Sequence, residues 1–180
     1  MDRELISTSK FLSLVLRHQP ATIGISLDDE GWAEIDVLLA AANRSGRTLT
    51  RPLLERVVHE NDKQRFAISS DGKRIRARQG HSVEVDLGLQ SVQPPELLYH
   101  GTVAKFLDSI RASGLVRGSR QYVHLSPDVE TARKVGQRRG RPVILIVESG
   151  RMWRDGRTFY QAENGVWLTE SVPAEYLRFE

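Results

Sequence analysis

The apolar residues change rhythm at Pro94-Pro95, and this change constrains the fold more than any other feature. Before it they recur at helical spacing. After it they come in short runs of the length strands need. Leu5 to Leu16 forms an amphipathic stretch with Leu12, Val15 and Leu16 near one face, and it must stop before Pro20 because the residue preceding a proline avoids the helical state. Ile35, Leu38, Leu39 and Ala42 follow i, i+3, i+4, i+7, which predicts a helix over 33–42 ahead of Gly46. Thr50 is placed to cap a third helix, with Pro52 in its first turn and Leu53, Leu54, Val57 and Val58 on its apolar side, ending near Glu60. Arg65 to Ile68 and Lys73 to Arg76 flank Asp71-Gly72, a β-hairpin signal.

Three short helices and a hairpin make a winged-helix-like lobe over residues 1–90. Lys73, Arg74, Arg76 and Arg78 would give its hairpin a basic wing. Such a lobe serves either to bind nucleic acid or only to pack.

The second lobe, residues 91–180, reads as β-rich. Leu97-Leu98-Tyr99 is a strand running into His100-Gly101-Thr102, and Val103 to Ser113 is a helix closed by Gly114. Tyr122 to Leu125 is a strand, and Ser126-Pro127 has the form of a helix start. Pro142 to Val147 is apolar enough to be a central strand buried on both faces. Phe159-Tyr160 and Val166 to Thr169 are strands about a turn at Asn164-Gly165. The class is therefore α+β and not a parallel βαβ array.

Several chemistries are excluded. The chain has no cysteine, which removes disulfides, thiol nucleophiles and thiolate metal sites. It has no phosphate-binding G-x-x-x-x-G-K-[ST] loop, no G-x-G-x-x-G, no H-E-x-x-H and no G-x-S-x-G. Its five histidines show no zinc spacing, so no metal is expected. No apolar run approaches the ~20 residues of a membrane helix, and MDRELISTSKF lacks the form of a signal peptide. The expectation is a soluble, cytoplasmic monomer that makes no membrane contact.

Charge points toward a phosphate-bearing partner. Arginine outnumbers lysine 21 to 5, and residues 111–157 hold 11 basic but only 4 acidic groups. The guanidinium fork matches phosphate oxygens bidentately, where lysine offers a point charge. A solvated basic face explains the same composition, so charge alone leaves both readings open.

Individual residues divide in the same way. Arg17-His18 at a helix end complements the helix dipole or grips a phosphate. Arg65, just before a strand, is equally ambiguous. In His100-Gly101-Thr102 the glycine permits close approach to a ligand while the flanking side chains offer directional hydrogen bonds. His124-Leu125-Ser126 repeats the arrangement at another strand end, although Ser126 also suits a helix cap. Arg120 lies in a Gly/Ser/Arg loop suited to anions. A hairpin turn accounts for Asn164-Gly165, but not for Gln161 and Glu163 beside it.

In order along the chain, SKFLSLVLRHQP, GISLDDEGWAEID, DKQRFAIS, LLYHGT, YVHLS, ARKVG, PVILIV and QAENGVWLT resemble the tRNA 2′-phosphotransferase family of the KptA type, over about residues 7–170. The resemblance implies a winged-helix-like N-lobe followed by a C-lobe like that of ADP-ribosyltransferases. It implies an enzyme that removes an internal, splice-junction 2′-phosphate from RNA and consumes NAD as co-substrate. The family's Arg-His-Arg-Arg set falls on Arg17, His18, Arg65 and Arg120. By the same resemblance His100, Gly101 and Thr102 would hold the adenosine side of NAD. His124, Leu125 and Ser126 would line the nicotinamide ribose region, with Asn164 near it. The implied partners are NAD and a tRNA-like RNA bearing an internal 2′-phosphate. The alternatives are a transferase that stops after ADP-ribosylation and a non-catalytic winged-helix binding module.

Overall fold

The computed structural model of the chain describes residues 2–179, which divide into two compact units, Met1–Gly88 and Leu89–Glu180.

The first unit begins with α1 (Arg3–Arg17), capped by the Asp2 carboxylate, which accepts from the Glu4 amide at 3.1 Å. The helix ends at Arg17, and Pro20 opens a single 3₁₀ turn. Ala33-Glu34 is not the start of a helix but a two-residue strand, β1, and α2 (Ile35–Arg44) follows at once. Helical periodicity begins at Ile35, so the two residues before it were free to pair. α3 (Arg51–His59) starts as its sequence requires, with Thr50 Oγ1 accepting from the Leu53 amide. β2 (Phe66–Ile68) and β3 (Arg74–Ala77) form the hairpin, and β1 adds to the other edge of β3, giving the order β1-β3-β2, all antiparallel. Leu12, Val15, Leu16, Leu38, Leu54, Phe66 and Ile75 are fully or almost fully buried in one core. At about 25 cal/mol per Å², each such side chain contributes roughly 1.5–3 kcal/mol on burial.

The second unit is built on three small antiparallel sheets. β4 (Leu98–Val103) and β11 (Leu177–Phe179) flank β7 (Pro142–Val147). β9 (Trp167–Thr169) lies between β6 (Val123–Leu125) and β8 (Phe159–Gln161). β5 (Leu115–Val116) pairs with β10 (Ser171–Val172). β7 is central as expected, but only Leu145 and Val147 are fully buried. The predicted helix over 103–113 divides into a 3₁₀ turn (Ala104–Phe106) and α4 (Leu107–Ser113). The helix after β6 is α5 (Val129–Gly136), and α6 (Ser149–Arg154) follows β7.

Two corrections bear on the site. Ser126 does not cap α5. Asp128 does, its carboxylate accepting from the Thr131 amide at 2.7 Å and from the Thr131 hydroxyl. His100-Gly101-Thr102 is not at a strand end but inside β4, paired across to Leu145, Ile144 and Val143. The architecture is mixed and antiparallel, as α+β requires, and among the described residues no helix is long and apolar enough to cross a membrane.

Candidate active site

Each unit assembles its own group of the predicted residues. In the first, α1 delivers Arg17 as its last residue and His18 as its C-cap. The helix geometry accounts for the dipole-complementing position, yet more than the helix holds the pair. The segment after β3 turns back against them. The amides of Ser82 and Val83 donate to the Arg17 carbonyl at 2.9 and 3.3 Å, and Ser82 Oγ lies 2.9 Å from His18 Nδ1. These bonds satisfy a carbonyl that a helix C-terminus would otherwise leave to water.

Arg65 precedes β2, and its carbonyl accepts from the Arg78 amide. Its guanidinium donates to Ser9 Oγ at 3.3 Å, which ties the base of the hairpin to α1. Asn61 donates to the same hydroxyl.

His81 sits beneath Arg17 and His18 and is 1% exposed. Burial pushes its pKa down to about 4, and the charges of Arg17, His18 and Arg76 push the same way. It is therefore neutral at pH 7. Its unfolded value is near 6.5, so the unfolded chain binds a proton that the folded chain refuses between those values. Stability is complete above pH 6.5 and falls by up to about 3 kcal/mol as the pH drops toward 4. His81→Leu should flatten that acid arm in denaturant titrations run at pH 7, 5.5 and 4.5. An arm as steep as in the wild type would remove His81 as its cause.

In the second unit a chain of hydrogen bonds links three predicted residues. Arg120 Nη1 donates to His124 Nδ1 at 3.2 Å, so His124 carries its proton on Nε2. The His124 carbonyl accepts from His100 Nδ1 at 3.1 Å, which leaves His100 Nε2 as an acceptor. Burial lowers the pKa of His100, the bond to the His124 carbonyl opposes this, and Arg139 and Arg120 add to the lowering. The neutral form results.

Arg120 is exposed in the loop between β5 and β6. Partial desolvation lowers its pKa, followed by the charges of Arg139 and Arg138. Among the described residues no carboxylate pairs with it. Three guanidiniums thus raise the local positive potential, and each carries the fork of donors that matches an oxyanion.

The other predicted residues group around this chain. Ser126 exchanges backbone hydrogen bonds with Tyr99 at 2.9 and 2.7 Å, which joins β6 to β4 beside His100. Thr102 is buried in β4, and Leu125 places its side chain in the core. Gly101 faces α5, so packing by itself accounts for its lack of a side chain. A Cβ there would penetrate the Ala132 carbonyl oxygen and stand 2.9 Å from the Gly136 amide nitrogen. Asn164 lies in the β8–β9 turn, where its Oδ1 accepts from the Val166 amide at 3.4 Å. Because Leu125 faces Trp167, that turn lies at the sheet end from which Ser126 emerges.

Sequence reasoning missed Ser82, His81, Arg138 and Arg139. The adjacent arginines lie in the basic stretch and could have been singled out. Nothing local marks Ser82 or His81, because their roles come from contact with α1, 64 residues away for the Ser82–His18 pair.

The model of the "RNA 2′-phosphotransferase, Tpt1/KptA family" matches residues 3–171. The RNA 2′-phosphotransferase of Escherichia coli K12 is 55% identical over 179 residues, which covers 99% of this chain and 97% of that protein. A protein of Rhodopirellula baltica named "Probable RNA 2′-phosphotransferase" is 58% identical, covering 99% of this chain and 97% of its own. One of the same name from Burkholderia lata is 60% identical over 171 residues, 94% of this chain and 88% of that protein. With the family matched over residues 3–171, which takes in most of both units, this chain belongs to the RNA 2′-phosphotransferase family.

Proposed function

We propose that the protein removes an internal 2′-phosphate from RNA and consumes NAD to do so, through an ADP-ribosylated RNA phosphate. The observation that carries this reading is the family match over residues 3–171, which takes in Arg17, His18, Arg65 and Arg120 at once. The unpaired charge of Arg120 beside Arg138 and Arg139 supports it.

The chemistry runs in two displacements. In the first, an oxygen of the RNA 2′-phosphate attacks C1″ of the nicotinamide ribose. Nicotinamide leaves with the electron pair of the glycosidic bond. In the second, the ribose 2″-hydroxyl attacks phosphorus and gives up its proton. The RNA 2′-oxygen leaves and takes up a proton. RNA with a 2′-hydroxyl and ADP-ribose 1″,2″-cyclic phosphate result.

The family resemblance assigns Arg17, Arg65 and Arg120 to the phosphate, where a guanidinium orients oxygens for attack and offsets charge that moves among them. His18 donates a hydrogen bond to a phosphate oxygen. A dinucleotide needs donors for its pyrophosphate and both donors and acceptors for its sugars. The second unit offers Arg138 and Arg139 for the former, with His100 Nε2 and the hydroxyls of Ser126 and Thr102 for the latter. His124 Nε2–H adds a donor, Leu125 and Gly101 contribute only backbone, and the Asn164 turn closes the same sheet end.

The test is direct. The protein is incubated with NAD and a short RNA bearing one internal 2′-phosphate, and RNA and nucleotide products are resolved. Loss of the phosphate together with appearance of ADP-ribose 1″,2″-cyclic phosphate is the expected result. RNA that gains ADP-ribose and keeps it identifies a transferase without the second displacement. RNA binding without NAD consumption overturns the enzymatic reading.

A further inference from the structure

We propose that Ser82 is a positioning residue for His18, setting which imidazole nitrogen faces the phosphate; this rests on the 2′-phosphotransferase reading. His18 lies one residue beyond α1, at φ −128°, ψ −47°, so the helix does not orient its ring. The segment 80–83 does. The Ser82 and Val83 amides hold the Arg17 carbonyl, and Ser82 Oγ meets His18 Nδ1 at 2.9 Å.

The segment itself is anchored on both sides of Ser82. His81 is buried, with its Nε2 close against Gly31. Val85 is also buried. Gly80, at φ +87°, brings backbone against the Arg17 guanidinium. A Cβ there would stand 3.6 Å from Nε, Cζ and Nη1, and the conformation itself excludes most side chains. One short stretch thus shapes the surroundings of both Arg17 and His18.

The identity of the group matters. A carboxylate on Nδ1 would favour the imidazolium at all times. A hydroxyl both donates and accepts. It donates to Nδ1 of the neutral ring and accepts from Nδ1–H of the charged one. In both states Nδ1 is occupied and Nε2 is the nitrogen turned to the substrate, with its proton available to a phosphate oxygen. The bond fixes which ring nitrogen is engaged and narrows the side-chain torsions open to the ring.

The Ser82→Ala and Ser82→Thr variants of the full chain separate this role from a structural one. The backbone bonds to Arg17 survive both changes. With saturating NAD and 2′-phosphorylated RNA, Ser82→Ala should lower kcat about tenfold while KM for NAD and the melting temperature stay put. Ser82→Thr should restore most of the rate. In ¹⁵N-labelled protein above the histidine pKa, the His18 Nδ1 resonance should move in the alanine variant and return in the threonine variant. An active wild type with unchanged kcat in Ser82→Ala overturns the proposal. So does a rate loss that tracks lost stability and is not rescued by threonine. An inactive wild type instead overturns the activity reading and the positioning role with it. The Nδ1 resonance distinguishes that case, because it reads the Ser82–His18 bond without any substrate.

Discussion

Replacing Arg120 by alanine should reduce NAD-dependent removal of the RNA 2′-phosphate by about 10³-fold, the scale of losing one preorganised donor to developing charge. The same variant should melt within a few degrees of the wild type. Arg120 is exposed on a loop, makes no ion pair among the described residues, and has Arg139 and Arg138 as its charged neighbours. Removing it relieves repulsion and costs only its hydrogen bond to His124. Surface changes of this kind stay within about 0.5 kcal/mol. Lysine at the same position should recover little, because an ammonium cannot reproduce the two-pronged contact. Arg65→Ala should lose activity on a similar scale but also some stability, about 1 kcal/mol, since Arg65 donates to the buried Ser9 hydroxyl. Steady-state rates and thermal melts on the same preparations decide the matter. Retained activity in both variants would remove these arginines from the reaction.

Gly101→Ala should be among the most damaging single methyl additions in the protein. It lies in the middle of β4, and its missing side chain is the space into which α5 settles. The added Cβ would overlap the Ala132 carbonyl oxygen and crowd the Gly136 amide nitrogen at 2.9 Å. Both are backbone atoms of α5, so no rotamer change relieves the clash. Gly136 faces the strand reciprocally, within 3.0 Å of the Thr102 carbonyl oxygen if it carried a Cβ of its own. Overpacking typically costs 1–3 kcal/mol, and a rigid backbone contact lies at or beyond the upper end. A loss of about 3 kcal/mol lowers the melting temperature of a unit this size by about 15 °C. Gly156→Ala is the control. Its φ of +88° strains alanine, but nothing lies within 4 Å of the new methyl, so about 1 kcal/mol is expected. Equal losses in the two variants would mean that the approach of α5 costs no more than the backbone strain at Gly156, and would remove it as the reason for Gly101.

The elements whose signals are local were legible in the sequence. α1 and α3 begin and end close to where Pro20, Thr50 and Pro52 put them, because capping and proline sterics act within a few residues. The β2–β3 hairpin and the β8–β9 pair flank their predicted turns for the same reason. Where a longer-range partner intervened, the reading slipped. Ala33-Glu34 stands directly before a helical apolar pattern and reads as its first turn, yet pairs with β3, since Ile75 and Arg74 offered open edge groups. Ser126-Pro127 looks like a helix start, but the Ser126 backbone is committed to Tyr99 and the cap passes to Asp128.

For the site, sequence determined which residue types are present and in what order, and the ordered motifs were enough to reach the family. Of the side chains named from it, Arg17 ends α1, His18 caps it and Arg120 lies in the β5–β6 loop with Arg139 and Arg138 as charged neighbours. Only tertiary structure decided how they are held. Ser82 meets His18 across 64 residues, and Arg120 reaches His100 through His124. It also assigned Gly101 to α5, a purpose the tripeptide His100-Gly101-Thr102 does not reveal. Caps and turns are settled by neighbours a few residues away. A hydrogen-bond partner brought in by packing is settled by the whole core of its unit, and no short window of sequence contains it.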